Sequence, residues 1–382
     1  MKKQVYLLSV KALLLSLIVS ACSPTNPRLQ TPPEENNVVT VSDSIGVYEV
    51  NSKVDILFVI DNSVSMDRHQ SNLSRNIESF VEEFEKNKIL DYHIAVTTIS
   101  DQVSAQKRLE DPKWAGFTPP LVGELVPLKI KNTEGKLEAS QGSRYISRNT
   151  ENKIEVLKNT LIVGTVKLED GGPQYEEVFP PVKAAIGPGA PVNNEGFYRP
   201  EANLVVIVIT DADDASDITA EGLYNDLLRL KDGERKKIQV YAAVIPSSAP
   251  ATCKRDYSNQ KPAKIETLTQ MFQNQSKKIV NLCSQNFGQE LANIGIDLSQ
   301  NIQTQTIQLP FIPEFKSKND IKVYYGKQEL KNDPKTGWML DKSTLILGRN
   351  LDVEFETDAK IFVKATPVRI ENYNNGRAKP AF

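Results

Sequence analysis

Val54-Asp55-Ile56-Leu57-Phe58-Val59-Ile60 runs straight into Asp61-Asn62-Ser63-Val64-Ser65. The first seven residues are an apolar run of strand length. The next five place a carboxylate and two hydroxyls at i, i+2 and i+4, at the tip of that strand. Behind them Leu73, Ile77, Phe80, Val81 and Phe84 recur with helical spacing, the stripe of an amphipathic helix. Arg75, Glu78, Glu82, Glu83 and Lys86 occupy the opposite face. Strand, oxygen-bearing loop and helix together read as the first unit of an alternating α/β chain.

The alternation continues outward. Tyr92–Ser100 is a β-branched strand, and Asn203–Thr210 is the clearest one, a continuous run suited to a parallel strand covered on both faces. Ile238–Ile245 is another. Helices are expected at about 150–160, at Glu176–Ile186 (shortened or kinked by Pro180 and Pro181), at Ala220–Lys231 with Leu223, Leu227, Leu228 and Leu230 inward, and at about 262–275 and 285–300. Such alternation implies a doubly wound, mostly parallel sheet. Residues 101–148 lack periodicity and read as a long insertion with room for a small hairpin. After residue 304 the pattern changes to short strand candidates at 306–309, 321–325, 344–347 and 360–365, separated by turns. The fold class is therefore α/β followed by a small all-β domain.

The chain has 382 residues, 25% of them charged, and a net charge of -2. That balance, without clustered Lys and Arg, points away from nucleic acid. Lys2 and Lys3 precede an apolar stretch from Ala12 to Val19 that is too short to span a bilayer. Val19-Ser20-Ala21-Cys22 resembles a bacterial lipobox. The resemblance implies a signal peptide over 1–21, lipidation at Cys22 and, with Ser at position 23, the outer membrane. The alternative is an ordinary secretory signal with an incidental cysteine. If Cys22 is lipidated, only Cys253 and Cys283 remain, either as one disulfide or as two buried thiols. Residues 22–46 are rich in Pro, Asn, Ser and Glu and read as a flexible tether. An α/β domain over 47–303, a β domain over 304–370 and a polar tail over 371–382 complete the expected organisation.

Two strands end in acidic, hydroxylated loops: Ile60 into Asp61–Ser65, and Ile209 into Thr210-Asp211-Ala212-Asp213-Asp214. Doubly wound sheets bind ligands beyond the carboxyl ends of their strands. Carboxylates and hydroxyls without His or Cys suit a hard cation such as Mg²⁺, Mn²⁺ or Ca²⁺. Asp61-x-Ser63-x-Ser65 after a buried strand, with Thr210-Asp211 after a later one, resembles the von Willebrand factor type A domain and its metal-ion-dependent adhesion site. The resemblance covers roughly residues 50–300. It implies a divalent cation, Mg²⁺ first, held by Asp61, Ser63, Ser65 and Asp211, with one position open to an acidic group from a protein partner. The family's threonine follows a Gly-Gly turn. Here that turn reads Gly171-Gly172-Pro173-Gln174-Tyr175-Glu176-Glu177, without Thr. Thr165, after Gly164, is taken as the substitute, with Glu176 the alternative; a Glu would favour Ca²⁺ or tighter binding. Cys253 and Cys283 and the helix after them resemble those of bacterial lipoproteins of this family.

Catalytic readings are weaker. His69, on the polar side of its helix, and His93, in a strand, are the two histidines, and neither lies in a triad or zinc motif. No Walker loop or G-x-S-x-G occurs. The expectation is a non-enzymatic, membrane-anchored adhesion module of the bacterial cell envelope. The alternatives are a metal-dependent hydrolase, with Asp213 and Asp214 as acid/base candidates, and a structural envelope lipoprotein with a vestigial site.

Overall fold

The computed structural model describes residues 41–42, 45–48, 52–111, 121–250, 253, 261–272, 278–303, 306–313, 320–348 and 350–365. The expected signal peptide over 1–21, Cys22 and the expected tail over 371–382 lie outside them. In chain order the strands are β1 (Val41–Ser42), β2 (Ile45–Tyr48), β3 (Lys53–Ile60), β4 (Asp91–Thr98), β5 (Lys129–Lys131), β6 (Leu137–Ala139), β7 (Tyr145–Ile146), β8 (Asn203–Ile209), β9 (Ile238–Val244) and β10 (Ile279–Asn281). Then come β11 (Thr306–Gln308), β12 (Ile321–Tyr325), β13 (Gln328–Leu330), β14 (Trp338–Asp341), β15 (Thr344–Leu347) and β16 (Ile361–Ala365). The helices are α1 (Asp67–Glu85), α2 (Gln102–Glu110), α3 (Lys153–Leu161), α4 (Phe179–Ile186), α5 (Ala220–Leu230), α6 (Ala263–Met271) and α7 (Phe287–Gln303).

The central sheet has the order β10-β9-β8-β3-β4-β7, parallel except for β7 at one edge. Strand alternation sends side chains to two separate cores. Val54, Ile56, Phe58 and Ile60 meet Leu73, Ile77 and Phe80 of α1 and Leu291 and Ile294 of α7 on one face. Leu57 and Val59 meet Val182 of α4, Leu223 and Leu227 of α5 and Leu268 of α6 on the other. Helices thus cover both faces of a doubly wound sheet, which is why β3 and β8 read as unbroken apolar runs. Leu228 and Leu230, expected inward, are half-buried. Pro180 sits in the first turn of α4, where a missing N–H leaves no hydrogen bond unmade.

The insertion over 101–148 holds more order than its sequence suggests. Asp101 caps α2, and β5 and β6 form the hairpin. The helix has no apolar stripe, since its buried residues are Ser104, Ala105 and Arg108, so helical periodicity cannot reveal it.

The remaining strands build a five-stranded sheet, β1-β2-β16-β12-β13, and a three-stranded one, β11-β15-β14. Their shared core includes Tyr48, Val323, Trp338, Leu345 and Ile361. Val41–Ser42 pairs with Ile45–Tyr48, which pairs antiparallel with β16, so residues 41, 42, 45 and 46, expected in the tether, are sheet. This body packs against the amino-terminal edge of the parallel sheet. Lys53 at the start of β3 pairs with Asp358 at 3.3 Å, the Arg148 guanidinium lies 5.1 Å from the Phe355 ring centre, and Ile89 joins the β core. The carboxyl ends of β3 and β8 point the opposite way.

Cys253 and Cys283 form a disulfide with Cα atoms 5.9 Å apart. The bridge ties the stretch after β9 to the turn after β10. Replacing both cysteines by serine is expected to cost roughly 3–4 kcal/mol on the chain-entropy model, read as a lower urea midpoint.

Candidate metal centre

The parallel register of β3 with β8 places Ile60 opposite Ile209. The residues that follow each strand therefore meet at one edge. The Asp61 N–H donates to the Ile209 carbonyl at 2.9 Å, and Gln70 of α1 donates to the Asp61 carbonyl at 2.8 Å. The Asp61 side chain has no exposed surface. Its two carboxylate oxygens accept from the Ser63 N–H and the Thr210 hydroxyl, both at 2.7 Å. Ser63 Oγ and Ser65 Oγ lie 2.9 Å apart, and the Ser65 hydroxyl donates to Asp211 Oδ1 at 3.0 Å. The four ligands expected from these two loops are thus brought together. Thr210 joins them as the hydroxyl that orients Asp61.

A third loop completes the cluster. Gly171 has φ of 88°, and a Cβ on Gly172 would lie 2.1 Å from the Val166 carbonyl oxygen, so the turn needs both glycines. The turn carries the chain to Glu176, whose carbonyl accepts from Ala215 N–H at 3.0 Å. Carboxylate oxygens of Asp61, Glu176 and Asp211 all lie within 4.8 Å of one another. Thr165 lies alongside by its backbone neighbours: Gly164 exchanges hydrogen bonds with the Gln70 amide at 3.0 and 3.1 Å, and Val166 N–H donates to the Asn62 carbonyl at 2.9 Å. Glu176, the alternative to Thr165 after the Gly-Gly turn, supplies the third carboxylate of this cluster.

Three carboxylates and two hydroxyls, all hard oxygens, suit a divalent cation such as Ca²⁺ or Mg²⁺. Two of those carboxylates, Asp61 and Asp211, are buried, where a cation among them would favour their charged forms. The donor set therefore fits a cation.

The other acidic residues nearby serve the scaffold. Asp213 accepts from the Lys264 and Ile265 N–H groups at the start of α6. Asp214 accepts from Val178 and Phe179 N–H at 2.8 and 2.9 Å and pairs with the Lys264 ammonium at 2.6 Å. His69, expected on the polar side of α1, is instead buried, with Arg68 Nε donating to its Nε2 at 3.2 Å. His93 lies at the far end of the sheet, Nδ1 3.0 Å from the Phe197 carbonyl.

No protein-family model matches the chain, and no curated protein matches it. Solved structures similar to it include proximal thread matrix protein 1 from the mussel byssus, at 14% identity and TM-score 0.35, covering 68% of this chain and 51% of that one. A von Willebrand factor type A protein from Catenulispora acidiphila has 11% identity and TM-score 0.35, covering 85% and 62%. The open conformation of the pilus adhesin SpaC from Lactobacillus rhamnosus GG has 11% identity and TM-score 0.36, covering 85% and 42%. The chain spans about half to three-fifths of the first two structures' length. A likeness at this level assigns neither family nor function.

Two outcomes are expected. Without cations, neighbouring carboxylates repel by up to ~3–4 kcal/mol per pair at this spacing and an effective dielectric near 20. Glu176→Gln should therefore melt higher than wild type in EDTA, by about 1 kcal/mol or more in stability, and lose that advantage in millimolar Ca²⁺. Burial, with Arg68 adding, lowers the His69 pKa from 6.5 to about 4. As pH falls through that window the unfolded chain takes up a proton that the folded chain refuses, so stability drops by up to ~1.4 kcal/mol per pH unit. His69→Gln should flatten that slope in urea titrations between pH 4 and 6.5.

Proposed function

We propose that this chain is a von Willebrand factor type A-like binding module of the bacterial envelope, whose recognition of a protein partner depends on a divalent cation. The observation that carries the reading is the convergence of the Asp61, Glu176 and Asp211 carboxylates within 4.8 Å at the carboxyl edge of the sheet. In this reading those three residues, with Ser63 and Ser65, hold the cation. The bound cation supplies an electrophilic position for an acidic group of the partner. A third carboxylate raises ligand charge, which moves the preference from Mg²⁺ toward Ca²⁺.

A protein partner suits the rim of the site. Val64, between the two serines, is 48% exposed, and Tyr175, beside Glu176, is 52% exposed. Apolar and aromatic side chains next to a charged anchor are what a protein contact uses. Binding is favoured over hydrolysis because Asp213 and Asp214 are engaged in capping α6, the start of α4 and an ion pair. The attachment in this reading is a lipidated Cys22 in the outer membrane. The chain enters the described body at Val41, on the β-sheet side.

A pull-down from native envelopes tests the reading. Wild type is expected to retain a partner in Ca²⁺ or Mg²⁺ and to release it in EDTA, while Asp61→Ala combined with Asp211→Ala, still folded, retains none. Partner retention unaffected by EDTA or by these substitutions would overturn it, as would cation-dependent turnover of a phosphoester or peptide library.

A further inference from the structure

We propose that Asp101 is a positioning residue for the cation site, acting through Glu176; this rests on the cation reading above. Asp101 ends the stretch after β4, the neighbour of β3, and is buried. Its Oδ1 accepts from Ser104 N–H at 2.9 Å, which caps α2. Its Oδ2 serves a different segment, accepting from Gln174 N–H at 2.7 Å, Tyr175 N–H at 3.2 Å and the Ser104 hydroxyl at 2.7 Å. The same hydroxyl lies 2.8 Å from the Gly172 carbonyl oxygen, to which it can donate, and accepts from Gln174 N–H at 3.0 Å. Arg108, buried beneath, donates to the Gly171 carbonyl at 2.8 Å.

The segment so held lies just before Glu176. Residues 171–178 form neither helix nor strand, so this stretch has no ladder of its own to fix it. Asp101 holds it on one side through Gln174 and Tyr175. Asp214 holds it on the other through Val178 and Phe179. Glu176 sits between these two buried carboxylates. Burial alone would raise the Asp101 carboxyl, but hydrogen bonds from Ser104, Tyr175 and Gln174 outweigh it and hold the pKa below its ordinary value. The clamp is therefore anionic at neutral pH.

Capping and clamping use different oxygens, so one substitution separates them. Asn at 101 still caps α2 with its carbonyl oxygen. Its amide nitrogen cannot accept from Gln174 and Tyr175, so the Glu176 segment loosens while the helix start survives. Groups that orient a ligating side chain typically change metal affinity about 10–100-fold.

The test is a double-mutant cycle on the folded protein, with Ca²⁺ and Mg²⁺ affinities of wild type, Asp101→Asn, Glu176→Gln and the double variant measured by titration calorimetry. Asp101→Asn is expected to weaken Ca²⁺ about tenfold or more in the wild-type background and about twofold or less when Glu176 is already Gln. Equal losses in both backgrounds, or no loss in either, would overturn the role of Asp101 while leaving the cation site standing. A wild-type protein that binds neither ion overturns the cation reading, and this inference with it. If Asp101→Asn does not fold by circular dichroism, Asp101→Ser takes its place in the cycle. Its hydroxyl is a good cap for α2 but is a single acceptor that cannot also hold Gln174 and Tyr175, and the same pattern of coupling or additivity decides.

Discussion

A carboxylate with no exposed surface at the tip of the central strand is the constraint around which the rest of the edge is arranged. Asp61 is tolerable there because each oxygen has a short donor, one from its own loop and one from Thr210. The second donor exists only because β3 and β8 are paired in parallel with Ile60 opposite Ile209. A slip of one residue would turn every side chain of β3 to the wrong core and would separate Asp61 from Thr210. The two apolar cores therefore do more than stabilise the sheet. They fix the register that brings Asp61 and Asp211 together, and α1, through Gln70, fixes the loop between them.

Much of this was legible in the chain. β3 and β8 are buried on both faces, so they read as unbroken apolar runs, and the residues just past them were the expected ligands. The α1 stripe was equally clear. What escaped the sequence escaped for physical reasons. α2 buries Ser104 and Arg108 instead of an apolar stripe. β2 is four residues long and finds its partner more than three hundred residues away in β16, a pairing that local pattern cannot disclose. Glu176 was one of two alternatives because its place depends on how the loop folds back from the Gly-Gly turn. His69 lies four residues before Leu73, in line with the buried stripe of α1, and is buried although it was expected on the polar side.

The two ends of the parallel sheet carry different tasks. The amino-terminal edge is closed by the β-sheets, with the Arg199 guanidinium pairing with buried Asp55 and with Asp91, both at 2.9 Å. There the buried carboxylate of Asp55 has a close opposite partner. At the carboxyl edge three carboxylates instead gather within 4.8 Å of one another. Binding sites commonly carry local rule-breaking of this kind, supported by the surrounding structure. Here the support is visible in the hydrogen bonds from Ser63, Thr210 and Ser65 to the two aspartates.

The third carboxylate has a consequence for recognition under the proposed reading. Three anionic ligands against a divalent ion leave the site with formal charge near minus one, so an approaching carboxylate is attracted less than at a site with two. The same extra charge holds the ion more firmly. A site of this composition suits an ion that stays in place while partners come and go, with the neighbouring apolar groups Val64 and Tyr175 contributing what the weaker charge attraction does not. Ca²⁺ accommodates this better than Mg²⁺, because it accepts six to eight oxygens in flexible arrangements and so admits a partner's oxygen beside five protein side chains. Under that reading Glu176 shifts the balance from attraction of an acidic partner toward retention of the cation.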